Sequence, residues 1–93
     1  MLEKDVEKKL ASEAKKRGLM CIKLVSVNLN GLPDRLILTE DGRVGFVELK
    51  APGKKPRLLQ IRRHEELKKR GFKVFVLDDV EKIGGILDEI CTS

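Results

Sequence analysis

The stretch GLPDRLILTEDGRVGFVELK, residues 31–50, decides how this chain folds. Two runs, 34–39 and 43–50, are rich in aliphatic and β-branched residues and flank Asp41-Gly42, a dipeptide that strongly favours a hairpin turn. The hairpin is unusual in one respect. It sets Asp34, Glu48 and Lys50 where a sheet normally buries apolar side chains. Side chains alternate along a strand, so Glu48 and Lys50 share a face, about 7 Å apart. With Asp-Gly as a two-residue turn, Asp34 falls opposite Leu49, one residue from each of the other two. Two carboxylates and an ammonium therefore gather at one end of the sheet. Carboxylates so close repel unless a cation lies between them, and either Lys50 or a hard divalent ion such as Mg²⁺ meets that need. A salt bridge at a strand end fits the same three residues and would be worth little.

Working outward, residues 2–17 carry Leu2, Val6, Leu10, Ala11 and Ala14 at helical spacing, and Gly18 after a basic run marks the stop. Residues 20–27 read as a strand. The segment NLNGLP is a loop by its Asn, Gly and Pro content. APGKKP is a second loop, and Pro56 suits the first turn of a helix running to about Arg70, ended by Gly71. FKVFVL, 72–77, alternates as a fourth strand. Asp78 or Asp79 caps a last helix with Val80, Ile83, Leu87 and Ile90 as its apolar stripe, weakened by Gly84 and Gly85. The order is α-β-β-β-α-β-α, with the third and fourth strands joined by a helix as a parallel crossover.

The chain has 93 residues, which makes 1–93 a single domain. It is 41% hydrophobic and 38% charged, a globular composition. No run approaches the roughly 18 apolar residues of a membrane span, and the charged N-terminus is no signal peptide, so a cytoplasmic location and no membrane partner are expected. Cys21, Cys91 and the lone His64 are too few and too scattered for a structural zinc site, and a disulfide is not expected in that compartment.

The net charge of +5 is unevenly spread. Between Lys50 and Lys73 lie ten Lys or Arg against two acids, so that segment carries +8 and the remainder −3. Such a concentration suits a polyanion, although a solvated helix face gives the same count. With three Phe and no Tyr or Trp, recognition by base stacking has little to work with.

Pro33-Asp34, a gap, then Glu48-Leu49-Lys50 resembles the PD-(D/E)XK nuclease signature. The longer string GLPD…VELKAPGKKPRLLQ…HEELKKRGFKVFVL is similar to the virus-type replication-repair nuclease (VRR-NUC) domain, in its stand-alone phage or bacterial form, over essentially the whole chain. The expected fold class is therefore α/β: a restriction-endonuclease-like αβββαβ(α) core with a mixed central sheet flanked by helices. The order read from the residues agrees with it.

The resemblance implies metal-dependent hydrolysis of phosphodiester bonds in DNA. Asp34 and Glu48 would ligate Mg²⁺ or Mn²⁺, with the Leu49 carbonyl as a further ligand. Lys50 would orient or help deprotonate the attacking water. Gln60 would hold the phosphate or the lysine; as an ordinary polar residue it would simply face water. A glutamate of the first helix joins the metal site in related nucleases. Helical geometry leaves Glu3, Glu7 and Glu13 open; the small Ala11 and Ala14 beside it, and its spacing to Gly18, favour Glu7. The phosphate-contact candidates are Lys54, Lys55, Arg57, Arg62 and Arg63, directly after the catalytic strand, together with Lys23 and Arg35. His64, as a lone histidine, is read as a packing or surface residue. Small isolated relatives suggest a homodimer acting on four-way or otherwise branched DNA in a bacterial or phage-infected cell, and the apolar last helix (Ile83, Ile86, Leu87, Ile90) could pack within the monomer or across a two-fold. Two other classes fit the residues less well: a nuclease-like module that only binds nucleic acid, and a protein-interaction domain with a salt-bridged strand end.

Overall fold

The computed structural model describes residues 2–92. Its elements follow the expected order: α1 (Glu3–Lys16), β1 (Met20–Lys23), β2 (Arg35–Leu38), β3 (Val44–Leu49), α2 (Leu58–Lys69), β4 (Lys73–Leu77), a 3-10 turn (Val80–Lys82) and α3 (Ile83–Cys91). The strands form one mixed sheet in the order β1-β2-β3-β4. β1, β2 and β3 are antiparallel neighbours, while β4 runs parallel to β3 after the α2 crossover. The first strand is shorter than expected because Leu24 onward leaves the sheet. The Leu24 amide bonds the Asp34 carbonyl at 2.8 Å, closing 24–34 into a loop.

The β2–β3 register differs by one residue from a two-residue turn. Arg35 pairs with Val47, and the ladder closes where the Thr39 amide donates to the Arg43 carbonyl. Three residues, Glu40 to Gly42, make the connection, with Gly42 at φ +87°. A turn followed by a left-handed glycine is the favoured geometry for a three-residue loop. Continued by one step, this register sets Asp34 opposite Glu48 rather than Leu49, so the two carboxylates share a sheet face.

That alternation divides the molecule. One face carries Ile37, Val47, Leu49 and Leu77, all buried beneath Val6, Leu10 and Ala14 of α1 and Ile83, Ile86, Leu87 and Ile90 of α3. Each such Val, Leu or Ile side chain contributes roughly 1.5–3 kcal/mol on burial, which makes this layer the main stabilising one. Of the two expectations for the apolar stripe of α3, packing within the chain or across a two-fold, the first is the one observed. α3 approaches closely enough that a Cβ on Gly45 would lie 2.4 Å from Ile90 Cγ1. Asp79 caps the 3-10 turn through the Glu81 amide, so the final helix starts only at Ile83. The opposite face is covered by α2 chiefly along β4. Among the described residues no helix is long and apolar enough to cross a membrane, and both cysteines are free.

Candidate active site

Where β2 begins and β3 ends, on the α2 side of the sheet, the expected residues converge. The loop from Leu24 delivers Pro33, fully buried, and then Asp34, whose Oδ2 accepts the Leu49 amide at 2.8 Å. The loop's far leg is seated on α2. Gly31 has φ +86°, and a Cβ there would lie 2.9 Å from Leu59 Cγ, so this position needs glycine both for conformation and for space. Arg63 Nε completes the seat by donating to the Asn30 carbonyl at 2.8 Å.

Glu48 projects from β3 beneath α2 and is 1% exposed. Its Oε2 receives Gln60 Nε2 at 3.1 Å and lies 3.3 Å from Lys50 Nζ. Gln60 is itself fixed, since its Oε1 accepts the Arg57 amide at the helix start, 2.8 Å away. The other oxygen, Glu48 Oε1, has no hydrogen-bond partner among the described residues. Burial, and after it the neighbouring Asp34 carboxylate, push the Glu48 carboxyl up to about 7, with Lys50 pulling in the opposite direction. A buried acid beside a second carboxylate is an expensive arrangement that structural ion pairs do not need, and such sites are where function is sought first.

One residue set aside in the sequence belongs to this cluster. His64 is buried, and its Nε2 sits 3.5 Å from Glu48 Oε1. Burial holds its imidazole below the ordinary histidine range, assisted by the Lys68 charge. The available signal was its spacing: four residues after Gln60, on the same helical stripe.

Three expected site residues are engaged elsewhere. Glu7 and Arg35 do not join the α2-side cluster. Arg35 pairs across the ladder with Val47 and so faces α1, where its guanidinium meets Glu7 at 2.7 Å. The arginine side chain is 12% exposed, and its charge is spent on that partner rather than offered to phosphate. The described residues hold no group of three His, Cys, Asp or Glu placed to bind a metal, so a three-carboxylate cage including Glu7 is not assembled. Arg63, expected to contact DNA, is divided between Asn30 and Glu66. Lys23, Lys54, Lys55, Arg57 and Arg62 are exposed as expected.

The chain is 46% identical over 76 residues to a protein named "Putative nuclease p44" from Acyrthosiphon pisum secondary endosymbiont phage 1, covering 82% of each. A solved structure described as a VRR_NUC domain superposes with a TM-score of 0.85 at 31% identity, over 92% of this chain and 94% of that one. The chain belongs to the VRR-NUC nuclease family. No family model matches it. The VRR-NUC fold accounts for the mixed four-stranded sheet between helices, and the nuclease signature falls where the loop, β3 and α2 meet.

Proposed function

We propose that this VRR-NUC domain is a divalent-metal-dependent DNA endonuclease selective for branched DNA, four-way junctions foremost, acting as a homodimer in the cytoplasm of a bacterial or phage-infected cell. The observation that carries the reading is the Asp34–Glu48 pair: two carboxylates on one sheet face, one of them buried, beside Lys50.

The donor set fits a hard cation. A buried carboxylate beside a second one is relieved by a divalent ion, which can take the lone pairs that neighbouring donors leave free. Asp34 and Glu48 would hold it, with the Leu49 carbonyl as a third contact. A site with two carboxylates suits Mg²⁺, which keeps several of its waters, and Mn²⁺ is the natural substitute. When bound, the ion supplies charge neutralisation at the phosphodiester and a more acidic water.

The chain's own residues do the rest. Lys50, on the same face as Glu48, presents its ammonium to the scissile phosphate and orients the attacking water. Gln60 keeps Glu48 in place. Lys54, Lys55, Arg57 and Arg62 supply contacts to phosphate, which position a duplex without reading its bases; Lys23, opposite Arg35 in the ladder, lies on the α1 face of the sheet. A small domain with such contacts, and with few aromatic side chains, is better suited to DNA shape than to sequence.

A second copy is supported by the sheet face that α2 leaves open. Met20, Ile22, Leu36, Leu38 and Phe46 share it by register, with Phe72 packed edge-on against Phe46. Met20 is 60% and Phe72 39% exposed. No charged side chain interrupts this row, so a two-fold axis would pair it with itself at no electrostatic cost.

The test incubates wild type and Lys50→Ala with a labelled four-way junction, a flap and plain duplex, in Mg²⁺, Mn²⁺ or EDTA. Junction cleavage that requires metal and falls by about 100-fold or more in the variant is expected. Binding of every substrate with cleavage of none would overturn the reading and leave a DNA-binding module.

A further inference from the structure

We propose that His64 is a positioning residue for Glu48, donating from Nε2 to the carboxylate oxygen that Gln60 and Lys50 leave free. The inference rests on the reading of Glu48 as a metal ligand and adds to it a residue that the nuclease signature does not contain.

The two oxygens of Glu48 are served unequally. Oε2 has two donors near it, Gln60 Nε2 at 3.1 Å and Lys50 Nζ at 3.3 Å. Oε1 has none among the described residues, although the side chain is 1% exposed and water cannot readily serve it. His64 Nε2 is likewise buried and without a partner among the described residues, and it faces Oε1 at 3.5 Å. Leaving a buried donor and a buried acceptor both unmade is costly, whereas a shift of about half an ångström makes one bond and satisfies both.

The helix gives this contact its purpose. Gln60 and His64 lie four residues apart, so one stripe of α2 offers one donor to each oxygen of the same carboxylate. α2 is in turn fastened at its start, by Gln60 Oε1 to the Arg57 amide and by the Gly31 loop seated against Leu59. A carboxylate held at both oxygens has its plane and its remaining lone pairs fixed before a cation arrives. Partners of this kind behind a metal ligand typically change affinity or activity by about 10- to 100-fold when removed.

The protein has a single histidine, which gives a direct readout that needs neither metal nor DNA. In histidine-labelled, metal-free protein, an Nε2-bound proton should be observed by NMR in slow exchange with water, and its resonance should move in Glu48→Gln. Alongside it, Mn²⁺ binding to the metal-free chain and junction cleavage are measured for His64→Leu and His64→Gln. Gln can extend an amide N–H to the position of Nε2; Leu fills the space without a donor. His64→Leu is expected to weaken Mn²⁺ binding and to lower kcat, each by about 10- to 100-fold, with KM for DNA unchanged. His64→Gln should recover most of both.

A folded His64→Leu that binds Mn²⁺ and cleaves as wild type does would overturn the proposal and make the imidazole a packing group. If His64→Leu does not fold, His64→Met is compared with His64→Gln under the same measurements, and equality of those two overturns it as well. Should the wild type show the protected Nε2 proton yet neither bind Mn²⁺ nor cleave DNA, the contact stands and the nuclease reading fails. Metal-dependent cleavage with no such proton and no effect of His64→Leu overturns the contact and leaves the nuclease reading standing.

Discussion

The Leu49 amide donates to the Asp34 carboxylate across 2.8 Å, tying the start of β2 to the end of β3 at the point where the site forms. The bond has two consequences. It holds Asp34 facing Glu48, and it can be made equally well by an uncharged side-chain oxygen.

Asp34→Asn therefore separates structure from chemistry. The amide oxygen accepts the same Leu49 N–H, while the negative charge that raises Glu48 is gone. Cleavage of junction DNA should fall by about 100-fold or more. In EDTA at pH 8 the melting temperature should match or exceed that of wild type, because a repulsion has been removed. A cleavage rate within about tenfold of wild type would exclude Asp34 from the reaction.

The Glu48 carboxyl makes the metal-free stability depend on pH. Its folded value, about 7, lies above its ordinary 4.5, so the folded state holds a proton that the unfolded chain releases between those values. The stabilisation is full below about 4.5 and is lost as pH rises through about 7. His64, held below its ordinary 6.5 by burial, works in the opposite sense. It is present in Glu48→Gln too, so the difference between wild type and that variant reports the glutamate together with its coupling to His64. In EDTA, that difference should move against wild type by roughly 3 kcal/mol at most between about pH 4.5 and pH 8. Urea unfolding across this range measures it, and a flat difference would mean that Glu48 is not raised.

Gly45 tests the packing of α3 on the sheet. A methyl group there would lie 2.4 Å from Ile90 Cγ1 and 2.5 Å from its Cδ1, within a fully packed layer. Gly45→Ala should cost about 1–3 kcal/mol, a fall in Tm of roughly 4–24 °C. Adding Ile90→Ala should then cost less than it does in the wild-type background, since the two changes share one space. Thermal melts of the four proteins give the coupling directly.

Leu36 lies mid-row on the open sheet face, between Ile22 and Phe46. Leu36→Lys places a charge opposite its own copy in any two-fold pairing through that face. Sedimentation should show a dimer for wild type and a monomer for the variant, with the far-UV spectrum unchanged. Two monomers, or two dimers, would remove this face from the assembly.

The elements and the nuclease signature are legible in the linear chain. Period-2 and period-3.6 patterns, the Asp-Gly turn and the Pro-Asp and Glu-Leu-Lys spacing are local properties, and local backbone preference answers to them. What those residues meet is settled only when the elements pack. Nothing local distinguishes a two-residue from a three-residue connection at Glu40–Gly42, yet that one residue moves Asp34 from opposite Leu49 to opposite Glu48. Arg35 looked available for phosphate because its charge is visible in the sequence and the partner that spends it, Glu7, is distant in the chain. His64 looked ordinary for the converse reason: Glu48 is sixteen positions away and on another element. The stripe on α3 announced only that something apolar would cover it. Whether that is the chain's own sheet or a second molecule depends on how α1 and α3 share one face, and burial energy, which is non-directional, does not record that choice in the pattern.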